Sequence, residues 1–91
     1  MAVEVKIPVV YKKLVGGKKI LETNPGTIRS ILDEILTEYP KLKEKFLDEK
    51  GEFKSHLSIF LNNKTISVPE GLDMFADDND KLIILLAISG G

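Results

Sequence analysis

The sequence has 91 residues, of which 43% are apolar and 30% charged, the composition of one ordinary folded domain over residues 1–91. A net charge of −1 gives no basic excess for nucleic-acid binding, and the absence of cysteine excludes disulfides, a thiolate nucleophile and a cysteine zinc site. No run approaches the ~18 apolar residues of a membrane span. No basic leader precedes an apolar block either. We therefore expect a cytoplasmic protein with no membrane or nucleic-acid partner.

The first half of the chain predicts two strands and one helix. Apolar residues occupy every second position over 3–9, which is typical of a half-buried strand. Gly16 and Gly17 indicate a hairpin turn before a second strand over 19–23. Apolar residues then recur at the helical period over 28–39, and Thr27 precedes them as a candidate N-cap.

The second half predicts a short helix over 41–47 and then three strands. Alternation indicates a strand over 56–61, and the Asn62-Asn63 pair indicates a tight turn to a return strand over 65–68. Residues 82–88 are almost all apolar, as in a central strand covered on both faces. Because a long helical connection usually joins parallel strands, we predict an α+β fold, a mixed sheet with one main helix packed across it in two layers.

The last residues are the most informative feature of the sequence. After the apolar strand come Ser89, Gly90 and Gly91, a tail without bulky side chains. Such a tail can fray, but glycine also lets a strand enter a narrow channel in another protein and present its terminal carboxylate there. A carboxylate reacts as an electrophile only after activation, typically by attack on the α-phosphate of ATP. The sequence has no phosphate-binding loop, so that step would belong to a partner.

Four stretches of the chain together resemble the ubiquitin-like β-grasp sulfur carriers. This family includes the small subunit of molybdopterin synthase and the sulfur carriers of thiamine and cysteine biosynthesis. The stretches are Val5-Lys6-Ile7-Pro8, Ile59-Phe60-Leu61-Asn62-Asn63, Asp78-Asn79-Asp80-Lys81-Leu82 and Ala87-Ile88-Ser89-Gly90-Gly91. The chain departs from the family at Leu86, where proline is frequent, at Ser89, where alanine is frequent, and at Asn79, where glycine is usual.

The resemblance implies a β-grasp fold with a flexible tail over residues 88–91, and a reaction cycle. A ubiquitin-activating-type adenylating enzyme, using ATP and magnesium, would join Gly91 to AMP, with Gly90 beside it. A sulfide or persulfide would then displace AMP and leave a C-terminal thiocarboxylate. The sulfur would pass to an acceptor such as the large subunit of molybdopterin synthase or a cysteine synthase. The chain itself would be neither an enzyme nor the stable host of a cofactor.

An apolar surface on the sheet is the second predicted functional feature. If Leu82, Ile84 and Leu86 face the helix, the alternate residues of that strand face the opposite side. Phe60, on the neighbouring strand, would share this outer side. An apolar patch of this kind usually marks a partner site, although self-association or a covering loop would also explain it. The predicted partner-binding residues are Phe60, Ile83, Leu85, Ala87, Ile88 and Ser89.

Two other functions remain open. A ubiquitin-like modifier would use the same activated Gly91 to form an isopeptide bond with a lysine, whereas a pure interaction domain would have an inert tail. The lone His56 indicates a surface or edge position and not a metal ligand. The acidic run at residues 77–80 lacks the downstream glutamate of a calcium loop, which favours a solvated turn.

Overall fold

The structure is a computed structural model that describes residues 2–86. Seven strands, two α-helices and three 3₁₀-helices (η) follow one another along these residues. They are β1 Val3–Lys6, η1 Val9–Val15, β2 Leu21–Thr23, β3 Gly26–Thr27, α1 Ile28–Glu38, η2 Pro40–Leu42, α2 Lys43–Phe46, β4 Leu57–Leu61, β5 Lys64–Ile66, η3 Glu70–Asp73, β6 Phe75–Ala76 and β7 Lys81–Leu86.

Five of the strands form a mixed sheet in the order β2-β1-β7-β4-β5. The central strand β7 pairs with β1 in parallel and with β4 antiparallel, while β2 and β5 form the two edges. Helix α1 lies against one face of this sheet and joins its apolar residues in one core. The predicted two-layer arrangement of a mixed sheet and one main helix is confirmed. The parallel pair is β1 with β7, however, so the strands of this sheet on either side of the helical connection, β2 and β4, are not paired with each other.

Helix α1 follows directly from its sequence pattern. Its inward stripe is buried and consists of Ile28, Ile31, Leu32, Ile35 and Leu36. The hydroxyl oxygen of Thr27 accepts a hydrogen bond from the Ser30 backbone N–H at 3.1 Å, which satisfies one donor of the first turn. The predicted N-cap is therefore confirmed. The helix ends at Glu38, two residues before Pro40, which cannot continue it.

The prediction that the first strand continues through Val9 is wrong. Strand β1 ends at Lys6, and η1 begins at Val9, where the carbonyl of Pro8 accepts the Tyr11 backbone N–H at 2.9 Å. Because proline has no N–H to donate to a sheet ladder, the chain turns there. Val9 is left 83% exposed and Val10 68% exposed, so neither contributes to the core.

The connections also differ from a simple hairpin pattern. Gly16 and Gly17 do have positive φ angles, of 69° and 77°, but they close η1 and do not join two strands directly. The predicted turn at Asn62 and Asn63 is confirmed, with φ angles of 50° and 72°. A second, two-stranded sheet was not predicted. It pairs Thr27 with Phe75 and lies at the start of α1.

The remaining elements are shorter than predicted. The helix over 41–47 divides into η2 and α2, and the strands over 56–61 and 65–68 become Leu57–Leu61 and Lys64–Ile66. Strand β7 is described as Lys81–Leu86, so the predicted extension through residues 87 and 88 lies outside the described residues. Its central position in the sheet is confirmed, but the prediction that both of its faces are covered is wrong, because Leu85 is 47% exposed and Ile83 is only half-buried.

Candidate functional site

The open face of the sheet carries a small apolar surface. Along β7, Leu82 and Ile84 are fully buried, Ile83 is half-buried and Leu85 is 47% exposed. Phe60 of β4 is half-buried and is the direct cross-strand partner of Ile83. We call Phe60, Ile83 and Leu85 the open-face patch. The predicted alternation is therefore confirmed, and Leu86 packs partly against the core as expected.

Polar residues frame the open-face patch on the neighbouring strands. Lys6 lies beside Ile83 on β1, Thr65 lies opposite Phe60 on β5, and Ser58 lies opposite Leu85. An apolar centre with a polar rim is the usual composition of a protein docking surface. Among residues 2–86 no group of three or more His, Cys, Asp or Glu side chains is placed to hold a metal ion. The open-face patch and its polar neighbours are therefore a candidate surface for binding another protein.

The open-face patch lies toward the end of the sheet that leads to the tail. Strands β1 and β7 run in parallel, so β7 finishes on the side where β1 passes into η1. Leu85 is next to the last described residue, Leu86. The other predicted site residues lie outside the described residues; they are Ala87, Ile88, Ser89, Gly90 and Gly91.

A polar clasp at the opposite end of β7 fixes where this strand begins. The Asp80 carboxylate accepts the Asn62 side-chain amide at 2.9 Å and the Asp77 backbone N–H at 2.7 Å. The Asn62 side-chain oxygen accepts the Lys81 backbone N–H at 2.9 Å, and the Asn62 backbone N–H donates to the Lys81 carbonyl. The β4–β5 turn is thereby tied to the first residue of β7. We call Asn62 and Asp80 the turn clasp.

The turn clasp holds the pKa of Asp80 below its ordinary value, first through the backbone N–H of Asp77 and then through the amide of Asn62. Because the folded pKa is depressed, this stabilisation is present at neutral pH and is lost as pH falls through the folded value. We expect Asp80→Asn to lower the melting temperature at pH 7. We expect the difference in melting temperature between Asp80→Asn and the parent protein to shrink as pH falls below about 4, where aspartate also protonates in the unfolded chain.

The matched control for this prediction is Asp78→Asn. The Asp78 carboxylate is exposed and accepts no hydrogen bond within the described part of the chain. The substitution Asp78→Asn therefore removes one negative charge and leaves the hydrogen bonds of the turn clasp intact. Thermal melts of the three proteins between pH 3 and 7 would make the comparison. The role of the turn clasp would be contradicted if the loss in melting temperature for Asp80→Asn stayed constant with pH, or if it equalled the loss for Asp78→Asn.

Comparison with known proteins identifies the family. The sequence profile of the ThiS family matches residues 5–91. The chain belongs to the ThiS family. This match spans every strand of the sheet except the first two residues of β1, and it includes the positions that follow the described residues.

Full-length relatives of this ThiS family member are carriers and modifiers. It is 27% identical over 93 residues to the sulfur carrier protein CysO of Mycobacterium tuberculosis, and 24% identical over 93 residues to small archaeal modifier protein 3 of Haloferax volcanii. Both matches cover 100% of each chain. The crystal structure of the Amycolatopsis orientalis BexX/CysO complex contains a chain 28% identical to this one, with a TM-score of 0.83, covering 99% of this chain and 100% of that one.

These similarities test two predictions made from the sequence. The resemblance to ubiquitin-like β-grasp sulfur carriers is confirmed by the family match and by the shared fold. The prediction that this ThiS family member is not itself an enzyme is also confirmed, because its relatives are small carrier and modifier proteins. Within residues 2–86, no helix has both the length and the apolar character needed to cross a bilayer.

Proposed function

We propose that this protein is a sulfur carrier whose Gly91 carboxyl group is adenylated and converted to a thiocarboxylate. The observation that supports this most strongly is its full-length similarity to CysO, a sulfur carrier, combined with Gly90 and Gly91 as the final residues of the sequence. The sulfur would be attached to the main chain, so the lack of cysteine is compatible with the function.

Two bond exchanges complete the activation. A Gly91 carboxylate oxygen attacks the α-phosphorus of ATP, and pyrophosphate leaves, which produces an acyl-adenylate. Sulfide then attacks the acyl carbon, the carbon–oxygen bond to AMP breaks, and the thiocarboxylate remains. If the donor is a protein persulfide, the resulting acyl disulfide needs a thiol to reduce it. A thiocarboxylate is ionised at neutral pH and needs no base from the carrier.

Partner proteins supply the catalytic groups in this proposal. A ubiquitin-activating-type enzyme would bind ATP and magnesium, and the carrier would retain neither. Similarity to CysO favours a cysteine synthase as acceptor over the large subunit of molybdopterin synthase. The cytoplasm, where ATP is abundant, is the compartment that we expect for this exchange.

The open-face patch is the surface that we assign to docking. Burial of Leu85 and the exposed parts of Phe60 and Ile83 against a partner would remove apolar area from water. Its position toward the end of β7 would bring the following residues to the partner's active site. A related CysO was solved in a complex with a second protein, which supports the use of a docking surface by carriers of this fold.

A ubiquitin-like modifier is the second candidate function. The similarity to small archaeal modifier protein 3 along the whole chain favours it specifically. In that case a lysine amine would attack the activated Gly91 carbonyl, AMP or an enzyme thiolate would leave, and an isopeptide bond would form. Both functions need the same activation step, so they differ only in the nucleophile that follows.

Intact-protein mass spectrometry distinguishes these functions. The purified chain would be incubated with the adenylating enzyme of its source organism, ATP, magnesium and sulfide. We expect a mass increase equal to sulfur minus oxygen, located on the last residue by fragmentation. Lysine-linked conjugates in the source organism, without that mass increase, would favour the modifier. If the chain gains neither sulfur nor conjugates, both proposals are wrong and an interaction domain remains.

A further inference from the structure

One end of the molecule combines lysines with exposed apolar side chains. Residues 7–20 contain four lysines and no carboxylate. Val9, Val10 and Ile20 in this segment are 83%, 68% and 44% exposed. The segment is anchored rather than loose, because Val15 is fully buried and the Tyr11 ring lies 6.0 Å from that of Phe46. We call this surface the basic ledge; its members are Val9, Val10, Ile20, Lys12, Lys13, Lys18 and Lys19.

A second segment has the opposite charge and the same apolar character. Residues 67–80 contain five carboxylates and no cationic side chain. Met74 and Phe75 are exposed by 46% and 61%. We call this surface the acidic ledge; its members are Met74, Phe75, Glu70, Asp73, Asp77, Asp78 and Asp80. The two ledges hold five of the seven exposed large apolar residues in the described part of the chain, and the other two are Val68 and Leu85.

The two ledges lie at opposite ends of the molecule. The acidic ledge adjoins the start of α1, where the Ile28 backbone N–H donates to the Met74 carbonyl at 2.9 Å. The basic ledge adjoins the end of α1, where the Lys18 ammonium donates to the Tyr39 hydroxyl at 3.2 Å. The eleven residues of α1 separate them by roughly 16 Å along the helix axis. One copy therefore cannot bring its own ledges together.

Contacts within the chain neutralise only part of these charges. Asp73 forms an ion pair with Arg29 at 3.2 Å, and Asp80 belongs to the turn clasp. The pKa of Lys18 is raised first by its contact with the Tyr39 hydroxyl and then, to a smaller extent, by the Glu38 carboxylate. Glu70 and Asp78 on one side, and Lys13 and Lys19 on the other, form no ion pair within residues 2–86. Complementary charge is thus available at both ends.

We propose that the basic ledge binds the acidic ledge of a second copy of this chain, head to tail. Both surfaces carry exposed apolar side chains and are opposite in charge, and a net charge of −1 opposes association only slightly. Two different surfaces make a heterologous contact, which continues into open chains and does not close as a dimer. Three exposed apolar side chains on the basic ledge and two on the acidic ledge fall short of the ~800 Å² per partner of a stable interface, so the association is weak.

Sedimentation measured against concentration and salt tests this proposal. With a dissociation constant on the order of 1 mM, the weight-average mass would rise about threefold at ~2 mM protein in low salt. The mass would return to that of the monomer in about 0.5 M salt, because the screening length shortens severalfold. A mass that stops at twice the monomer would instead indicate a symmetric contact and would overturn the proposal.

Charge-swapped variants provide the decisive comparison. Lys13→Glu/Lys19→Glu leaves two lysines and two glutamates on the basic ledge and so cancels its formal charge, while Glu70→Lys/Asp78→Lys lowers the formal charge of the acidic ledge from −5 to −1. We expect each variant alone to remain monomeric and an equimolar mixture to associate. Lys50→Glu/Lys64→Glu changes the net charge as much as the first variant but lies outside both ledges, so it should associate like the parent protein.

Circular dichroism melts would establish that all the variants fold, since every substituted side chain is exposed. Either swapped variant associating alone as the parent does would overturn the proposal, and so would a mixture that stays monomeric. A monomeric parent protein at ~2 mM in low salt would also overturn it. The test does not depend on Gly91, so the proposed sulfur chemistry can fail without affecting its result.

Discussion

Removal of Gly90 and Gly91 is expected to abolish sulfur transfer to this protein while leaving its melting temperature unchanged. The described residues 2–86 already form a continuous buried core between α1 and the sheet, so we expect the truncated chain to fold. The Gly91 carboxyl group that would be adenylated is removed, and the new terminal carboxyl group, on Ser89, lies two residues earlier in the chain. Intact mass spectrometry after incubation with the adenylating enzyme, ATP and sulfide would measure the loss, and a thermal melt would measure the fold.

A one-residue extension tests whether the reaction needs the terminal carboxyl group of Gly91 or only the two glycines of the tail. Leucine added after Gly91 keeps both glycines but replaces the terminal group with a bulky residue, and we expect it to prevent activation as completely as truncation. Mass spectrometry must first show that the added leucine is retained. If this intact extended chain still receives sulfur, the reactive group is not the Gly91 carboxyl.

The sequence pattern predicts best where one local cause determines the structure. The α1 stripe from Ile28 to Leu36 has a single period, and Thr27 stands where the first helical N–H groups need an acceptor. Asn62 and Asn63 tolerate positive φ angles, so the turn there is equally local. The alternation of β7 likewise identifies its open side, and this places Leu85 correctly.

The sequence pattern does not predict contacts between segments that are far apart along the chain. Continued alternation favours Val9 as a strand residue, but the missing N–H of Pro8 has the larger effect and starts η1. Strands β3 and β6 are two residues each and are far apart in sequence, too short for any periodicity. The turn clasp joins Asn62 and Asp80, which are 18 positions apart. The sequence marks each residue as a turn former, but only the folded sheet brings them together.

Substitution of Leu85 by aspartate is expected to weaken binding to the adenylating enzyme by about 30-fold, the loss of roughly 2 kcal/mol typical of a central interface residue. Leu85 is 47% exposed in the free chain, so the cost to folding should be small. In the complex the new carboxylate would be removed from water without a partner. Isothermal titration calorimetry with the inactive enzyme, together with a melting curve, measures both effects. Phe60→Asp should act in the same direction with a larger effect on stability, since its ring is half-buried.

The control for the patch variants is Thr37→Asp, which adds the same charge on the exposed side of α1, away from the open face. It should bind like the parent protein. Leu85→Lys shows whether binding depends on apolar burial or on charge. If burial matters, both Leu85→Asp and Leu85→Lys weaken binding, whereas an effect of charge alone would weaken binding for only one of the two variants. If Leu85→Asp, Leu85→Lys and Thr37→Asp all bind equally well, the open-face patch is not the docking surface. An adenylating enzyme would then have to recognise this carrier mainly through the residues that follow Leu86.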